Sequence, residues 1–210
     1  TQKIEHGHAN HYLPAEISVS NEDHGYDLIS GTYRDHKINL LEVYHRVGYF
    51  WQRHNYTRFK VLVIGLPKGG LGLHGSYGVL QGGIKGDTPI RTNSAEGWKR
   101  IRLESTAFER AFNVYGPDQI EGRKLFTPNM IDSWTYFKSC YQAPSIQAVY
   151  RGSTLYLKIE QTEDMFDHLI GSQWDLDLHN LLDDLITETA KVFTMVDDVI
   201  DKLLPPSKSS

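Results

Sequence analysis

From Tyr26 onward apolar and polar positions alternate in short runs, and near the end of the chain the period lengthens to that of a helix. Residues 26–52, YDLISGTYRDHKINLLEVYHRVGYFWQ, are rich in aromatic and β-branched side chains at period two, which places alternate residues on opposite faces of a strand. The polar pair Arg34 and Asp35 between two such runs predicts a hairpin turn. Val61, Leu62, Val63 and Ile64 form a continuous apolar run bounded by Gly65 and Pro67, too short for a helix and therefore read as the most buried strand. Residues 65–97 are dense in glycine and predict turns with a short strand at 78–80, and WKRIRLE is read as another strand.

In STAFERAF, Thr106 and Glu109 stand at capping-box spacing and predict a helix start there. Thr127 as N-cap with Pro128 at the first helical position predicts a second helix through NMIDSWTYFKSC. SIQAVYR and STLYLKIE are expected to pair around Arg151 and Gly152. Residues 174–204 carry one long amphipathic pattern, stopped by Pro205 and Pro206.

Hairpins outnumber crossovers in this order, so the expected fold is α+β: a mostly antiparallel sheet, short helices on one face, and a long C-terminal amphipathic helix. Residues 1–25 are read as a polar N-terminal arm, with a short strand around Ile17 and Val19. Residues 26–170 form the α+β domain, 171–204 the long helix with a boundary near Gly171, and 205–210 a disordered tail.

The helical seam runs Leu178, Leu182, Leu185, Thr189, Val192, Val196, Val199, Leu203, alternating steps of four and three as in a coiled coil. Leu181, Ile186, Phe193, Met195 and Ile200 widen it beyond what one partner helix covers. Asp183, Asp184, Asp197, Asp198 and Asp201 form an opposite acidic face expected to stay in water. A thirty-residue helix of roughly 45 Å outruns an ordinary sheet. The part from Val192 onward (Val192, Phe193, Val196, Val199, Ile200, Leu203) is therefore expected to meet a protein partner or a second copy of the chain.

Composition narrows the function classes. The chain of 210 residues is 40% hydrophobic and 23% charged, a globular balance. Its net charge of −4 and pI near 6.2, with scattered basic residues, exclude a nucleic-acid footprint. A single cysteine, Cys140, cannot build an internal disulfide framework and fits a reducing compartment. No apolar run approaches the roughly twenty residues of a membrane span, so the chain as it stands is expected to be soluble. It starts at Thr1, and any membrane association is expected only through segments absent from this chain.

The candidate chemistry is sparse. Gly70 to Gly75 spell GLGLHG, a GxGxxG pattern with Glu96 further on, but SYGVLQGGIKG follows where a dinucleotide site needs a helix N-terminus. No cofactor is expected. His6, His8 and His11 cluster in the arm as candidate metal ligands, yet an unpatterned arm offers nothing to hold them, and adventitious binding is the simpler reading. Cys140 lacks a neighbouring histidine, and no GxSxG elbow exists. Asp118, Glu121 and Arg123 in FNVYGPDQIEGRKLFTP are the remaining catalytic candidates. Paired carboxylates could divide acid and base work. The local alternative is a turn at Gly116 and Pro117, Asp118 capping the next helix, and Arg123 pairing with Asp118 or Glu121 or binding a nearby carbonyl.

In FERAFNVYGPDQIEGRKLFTPNMID the sequence resembles a bacterial family of unknown function, number 3137, through Phe108, Phe112, Val114, Tyr115, Asp118, Gln119, Glu121, Arg123, Leu125, Thr127 and Pro128. The family pattern has alanine where this chain has Gly122, and the resemblance extends over residues 26–166. It implies a bacterial protein, often with membrane helices ahead of a domain facing the cytoplasm, and carries no established activity. Two readings follow: a noncatalytic interaction or scaffold domain, tethered to the membrane in its full-length form and lying in the cytoplasm or on the cytoplasmic face of the inner membrane; or a hydrolase or ligand-binding enzyme using Asp118, Glu121 and Arg123, with or without a divalent metal.

Overall fold

The computed structural model describes residues 24–47, 55–66, 75–81, 97–161 and 178–204, together with Pro14 and Leu73. The arm, including Ile17 and Val19, the boundary at Gly171 and the tail after Leu204 lie outside these residues.

Strands β1 (His24–Tyr33) and β2 (His36–Val47) pair antiparallel, with Leu28 opposite Leu41 and Tyr33 opposite His36. Arg34 and Asp35 both take left-handed φ, 48° and 64°. Two such residues give a tight turn whose twist matches that of the flanking strands. β3 (Asn55–Gly65) pairs with β2, β8 (Thr154–Gln161) with β3, and β7 (Ile146–Arg151) with β8 through a turn at Gly152. β4 (Ser76–Gln81), β6 (Phe112–Gly116) and the three-residue β5 (Lys99–Ile101) complete the sheet. Its order is β1-β2-β3-β8-β7-β4-β6-β5, with every neighbour antiparallel.

Helices α1 (Thr106–Ala111), α2 (Gln119–Leu125), α3 (Pro128–Tyr141) and α4 (Leu178–Asp198) complete the domain, α4 ending in a π-helical turn at Val199–Leu203. The domain is α+β. Thr127 caps α3 by accepting from the Met130 amide at 3.4 Å. The cap of α1 lies one residue before the expected one: Ser105 accepts from the Phe108 amide, while Glu109 turns back to the Leu103 amide at 2.9 Å.

Period-two alternation decides what each face of the sheet buries. Leu62, Ile64, Tyr77, Leu155, Leu157 and Ile159 join Phe108, Trp134, Phe137, Val196 and Val199 in the main core, between the sheet and the helices. Leu41, Val43, Val61, Val63, Trp98 and Val149 form a second cluster on the other face. Because both faces are buried along β3, the run from Val61 to Ile64 has no polar member.

Two expectations about the last helix are corrected. Val192, Val196, Val199 and Leu203 are buried in the chain's own core, so these four positions are not open to a partner, while Phe193 in the same section is exposed. Of the acidic face, Asp183 is exposed as expected, but Asp197, Asp198 and Asp201 are engaged. Arg34 at the hairpin tip donates to Asp197 at 2.8 Å and to Asp201 at 2.6 Å, and Tyr33 donates to Asp197 at 3.1 Å. Asp198 accepts from Tyr141 at 3.0 Å and from Lys202 at 2.5 Å. Beneath the π-helical turn the buried Tyr150 hydroxyl donates to the Leu203 carbonyl at 2.8 Å and accepts from the Trp134 indole at 3.2 Å. Burial holds the Tyr150 phenol well above its ordinary pKa.

Candidate functional site

The motif residues gather where α2 meets the β5 end of the sheet. Asp118 has extended backbone, and one of its carboxylate oxygens accepts from the amides of Ile120 (2.7 Å) and Glu121 (2.8 Å). These amides have no intrahelical partner, and an acidic side chain also complements the helix dipole there. Gln119 binds both backbone groups of Arg102: its Oε1 accepts from the amide at 3.3 Å and its Nε2 donates to the carbonyl at 3.0 Å. A side-chain amide thus takes the place of a neighbouring strand just past β5. Arg123 donates from Nε to the same carbonyl at 3.1 Å, the backbone partner among the alternatives read from the sequence.

Glu121 points to the sheet and accepts from the Tyr77 hydroxyl. The Tyr77 side chain is wholly buried; burial, then the bond to Glu121, raise the phenol's pKa far above the ordinary value. Its ring lies against two glycines. A Cβ built on Gly116 would fall 2.3 Å from Tyr77 Cδ1, and one on Gly122 would fall 2.2 Å from Ile101 Cδ1 and 3.2 Å from Tyr77 Cε1. Close packing and not backbone angle favours glycine here: Gly116 lies against Tyr77 of the adjacent strand, and Gly122 against Ile101 where α2 meets the sheet. Glu109 extends the network toward Arg102 at 3.5 Å and Arg100 at 3.8 Å.

Asp118, Glu121 and Arg123 are brought into one neighbourhood, and each is bound to a different internal partner: helix amides, a tyrosine, a strand carbonyl. Nothing in this arrangement favours hydrolytic use of the pair. A groove of about 850 Å³ lies elsewhere, between α4, the end of α3 and strands β3 and β8; Tyr141, Ala143, Pro144, Ile186, Val192 and Met195 line it, with Lys60 and Glu160. Of the residues singled out in the sequence for a site, only Val192 reaches it.

Among the described residues no group of three or more histidine, cysteine or acidic side chains could hold a metal ion, and His6, His8 and His11 lie outside them. Of GLGLHG only Leu73 and Gly75 are described, and the chain goes on directly into β4. No described helix is long and apolar enough to cross a membrane.

On α4 most of the open apolar residues lie before Val192. Leu182, Leu185 and Ile186 are 46%, 40% and 64% exposed, and Phe193 is 39% exposed with its ring 4.9 Å from that of Tyr33. Ile200 is only partly buried against the core. Leu182 and Leu185 belong to the same four-three seam as Val192 and Val196, so the sequence marked the surface and misjudged which half of it the domain covers.

These features define an α+β domain whose strongest motif staples a short helix across a sheet end. The model of the family described as Protein of unknown function (DUF3137) matches residues 48–204, and the chain belongs to that family. The matched span starts after β2 and includes α4, whereas the resemblance read from the residues covered 26–166. No curated protein and no solved structure matches the chain.

Proposed function

We propose that the chain is a noncatalytic interaction domain that holds a protein partner on the open apolar side of α4. One observation carries the reading. The polar motif residues are bonded inward, while Leu182, Leu185 and Ile186 remain in water on the first half of a helix whose second half is core. Single exposed apolar residues need no explanation, but neighbours on one helix side form a patch suited to protein contact. Tethering to the membrane through segments beyond this chain belongs to the same proposal, and its support is the family resemblance alone.

The test is crosslinking and mass spectrometry of the full-length protein in its native host, beside a Leu182→Glu, Ile186→Glu variant of unchanged thermal stability. The proposal expects partners crosslinked near α4 to be lost from the variant. If the variant keeps every partner of the parent, the surface is not an interaction site.

A further inference from the structure

We infer that two copies of this chain share this surface, the outer edge of β1 pairing antiparallel with the same edge of the second copy while the open sides of the two α4 helices meet beside the joined strands. The inference rests on the interaction reading and narrows it to one partner.

β1 ends the sheet, and among the described residues no strand pairs with its outer side. Exposed edges invite strand addition, so they are ordinarily guarded by brevity, charge, proline or a bulge. The other end of this sheet follows that rule: β5 has three residues, two of them Lys99 and Arg100. β1 has ten, its only irregularity lies at Gly25 and Asp27, and residues 28–33 (LISGTY) contain neither charge nor proline. The unguarded edge is the long one.

A second open feature adjoins that edge. Ile29, Gly31 and Tyr33 lie on the helix-bearing face, in register with Leu40, Ile38 and His36. Ile29 is 38% exposed, and a Cβ at Gly31 would meet nothing within 4 Å, so the face is open at the edge. Phe193 packs on Tyr33. Ile186 and Leu182, seven and eleven residues before Phe193, fall on the same side of the helix. Phe193 therefore joins the apolar side of the helix to the edge strand.

An occupant of this corner has to offer an extended strand to β1 and apolar side chains to α4. A copy related by a two-fold axis offers both, because an isologous contact pairs each surface with itself. With the axis at Gly31, Ile29 stands opposite Tyr33 on the helix-bearing face and Ser30 opposite Thr32 on the other, so the uncharged residues 29–33 meet one another. Antiparallel self-pairing also continues a sheet that is antiparallel at every junction.

Sedimentation velocity of the full chain over a wide concentration range tests this, with Ile29→Lys and Ile186→Glu as probes and Ile120→Lys, at a 67% exposed site on α2, as control. The expected result is a dimer that each probe weakens by about tenfold or more while the control leaves it intact. Hydrogen exchange at those amides of residues 28–33 that point away from β2 should be slow in the dimer and fast in Ile29→Lys. A monomer at all concentrations, or a dimer indifferent to both probes, overturns the inference. So does slow exchange in a monomer, which would mean that the chain's own residues cover the edge. If the chain is monomeric yet its native partners still vanish with the α4 variant, the two-copy inference fails and the broader interaction reading stands.

Discussion

Replacing Gly122 by alanine, the residue the family pattern leads one to expect, tests whether the motif is a packing device. On an isolated helix the change would stabilise by about 0.8–1.0 kcal/mol, since glycine is the poorer helix former. In this fold the new Cβ would stand 2.2 Å from Ile101 Cδ1, 3.3 Å from Ile101 Cγ1 and 3.2 Å from Tyr77 Cε1. Ordinary contact begins near 3.4 Å. Ile101 is 2% exposed and Tyr77 fully buried, so the displaced methyl has no open space to enter. Overpacking of this kind costs about 1–3 kcal/mol, which outweighs the propensity gain and leaves Gly122→Ala destabilised by about 1 kcal/mol.

The partner change isolates the cause. Ile101→Val removes Cδ1 and alone should cost about 0.5–1.5 kcal/mol. In the double variant the alanine methyl enters the vacated space, so the pair should be more stable than the sum of the single changes predicts, by about 1–2 kcal/mol. The assay is urea denaturation followed by tryptophan fluorescence, with similar slopes required before midpoints are compared. Additivity within about 0.5 kcal/mol would refute the steric argument.

Three further outcomes are expected. Asp118→Ala removes the acceptor for two helix amides and should cost about 1 kcal/mol in the same assay, with Asp118→Asn retaining most of the stability. Tyr150→Phe deprives the Leu203 carbonyl and the Trp134 indole of their buried partner and should cost about 1–3 kcal/mol, read from the denaturation midpoint. The Arg34 bond holds Asp201 below its ordinary pKa, so its stabilising contribution is present above the unfolded carboxylate pKa, about 3.9, and is lost as pH falls through the lower folded value. The stability difference between the parent and Arg34→Gln should therefore be steady near neutral pH and shrink below that value, and a difference that grows on acidification would contradict the bond's role.

Much of the fold was legible because local rules and tertiary packing agree. Arg34 and Asp35 turn where the alternation breaks, and Thr127 and Pro128 start α3 as cap and first residue. Ser105 and not Thr106 is the cap, accepting from the Phe108 amide, while Glu109 reaches past the helix start to the Leu103 amide, two residues before the cap. The motif was legible as a cap at Asp118, yet the partners of Gln119 and Glu121 were not: Arg102 and Tyr77 lie 17 and 44 residues away, brought there by strand order alone. The spacing within a motif says which side chains share a face, and it carries no information about the strand that face meets.

The terminal helix shows the same limit most sharply. Its seam advances by fours and threes from Leu178 to Leu203, interrupted only by Thr189, and that spacing is equally suited to a partner helix or to a sheet. The acidic residues beside it resembled a solvated face. Asp197, Asp198 and Asp201 instead receive Arg34 and Tyr33 from the β1–β2 hairpin and Tyr141 from α3, whereas Asp183 on the first half is exposed, so charge alone does not tell the docked end from the free one. With the last turns fixed by these bonds and by the buried Val192, Val196, Val199 and Leu203, the surplus length must emerge at the other end. Leu182, Leu185 and Ile186 are where it emerges. An apolar seam that crosses from core to surface with Thr189 as its one polar member is the physical ground for seeking a partner on the first half of α4, beside the unguarded edge of β1.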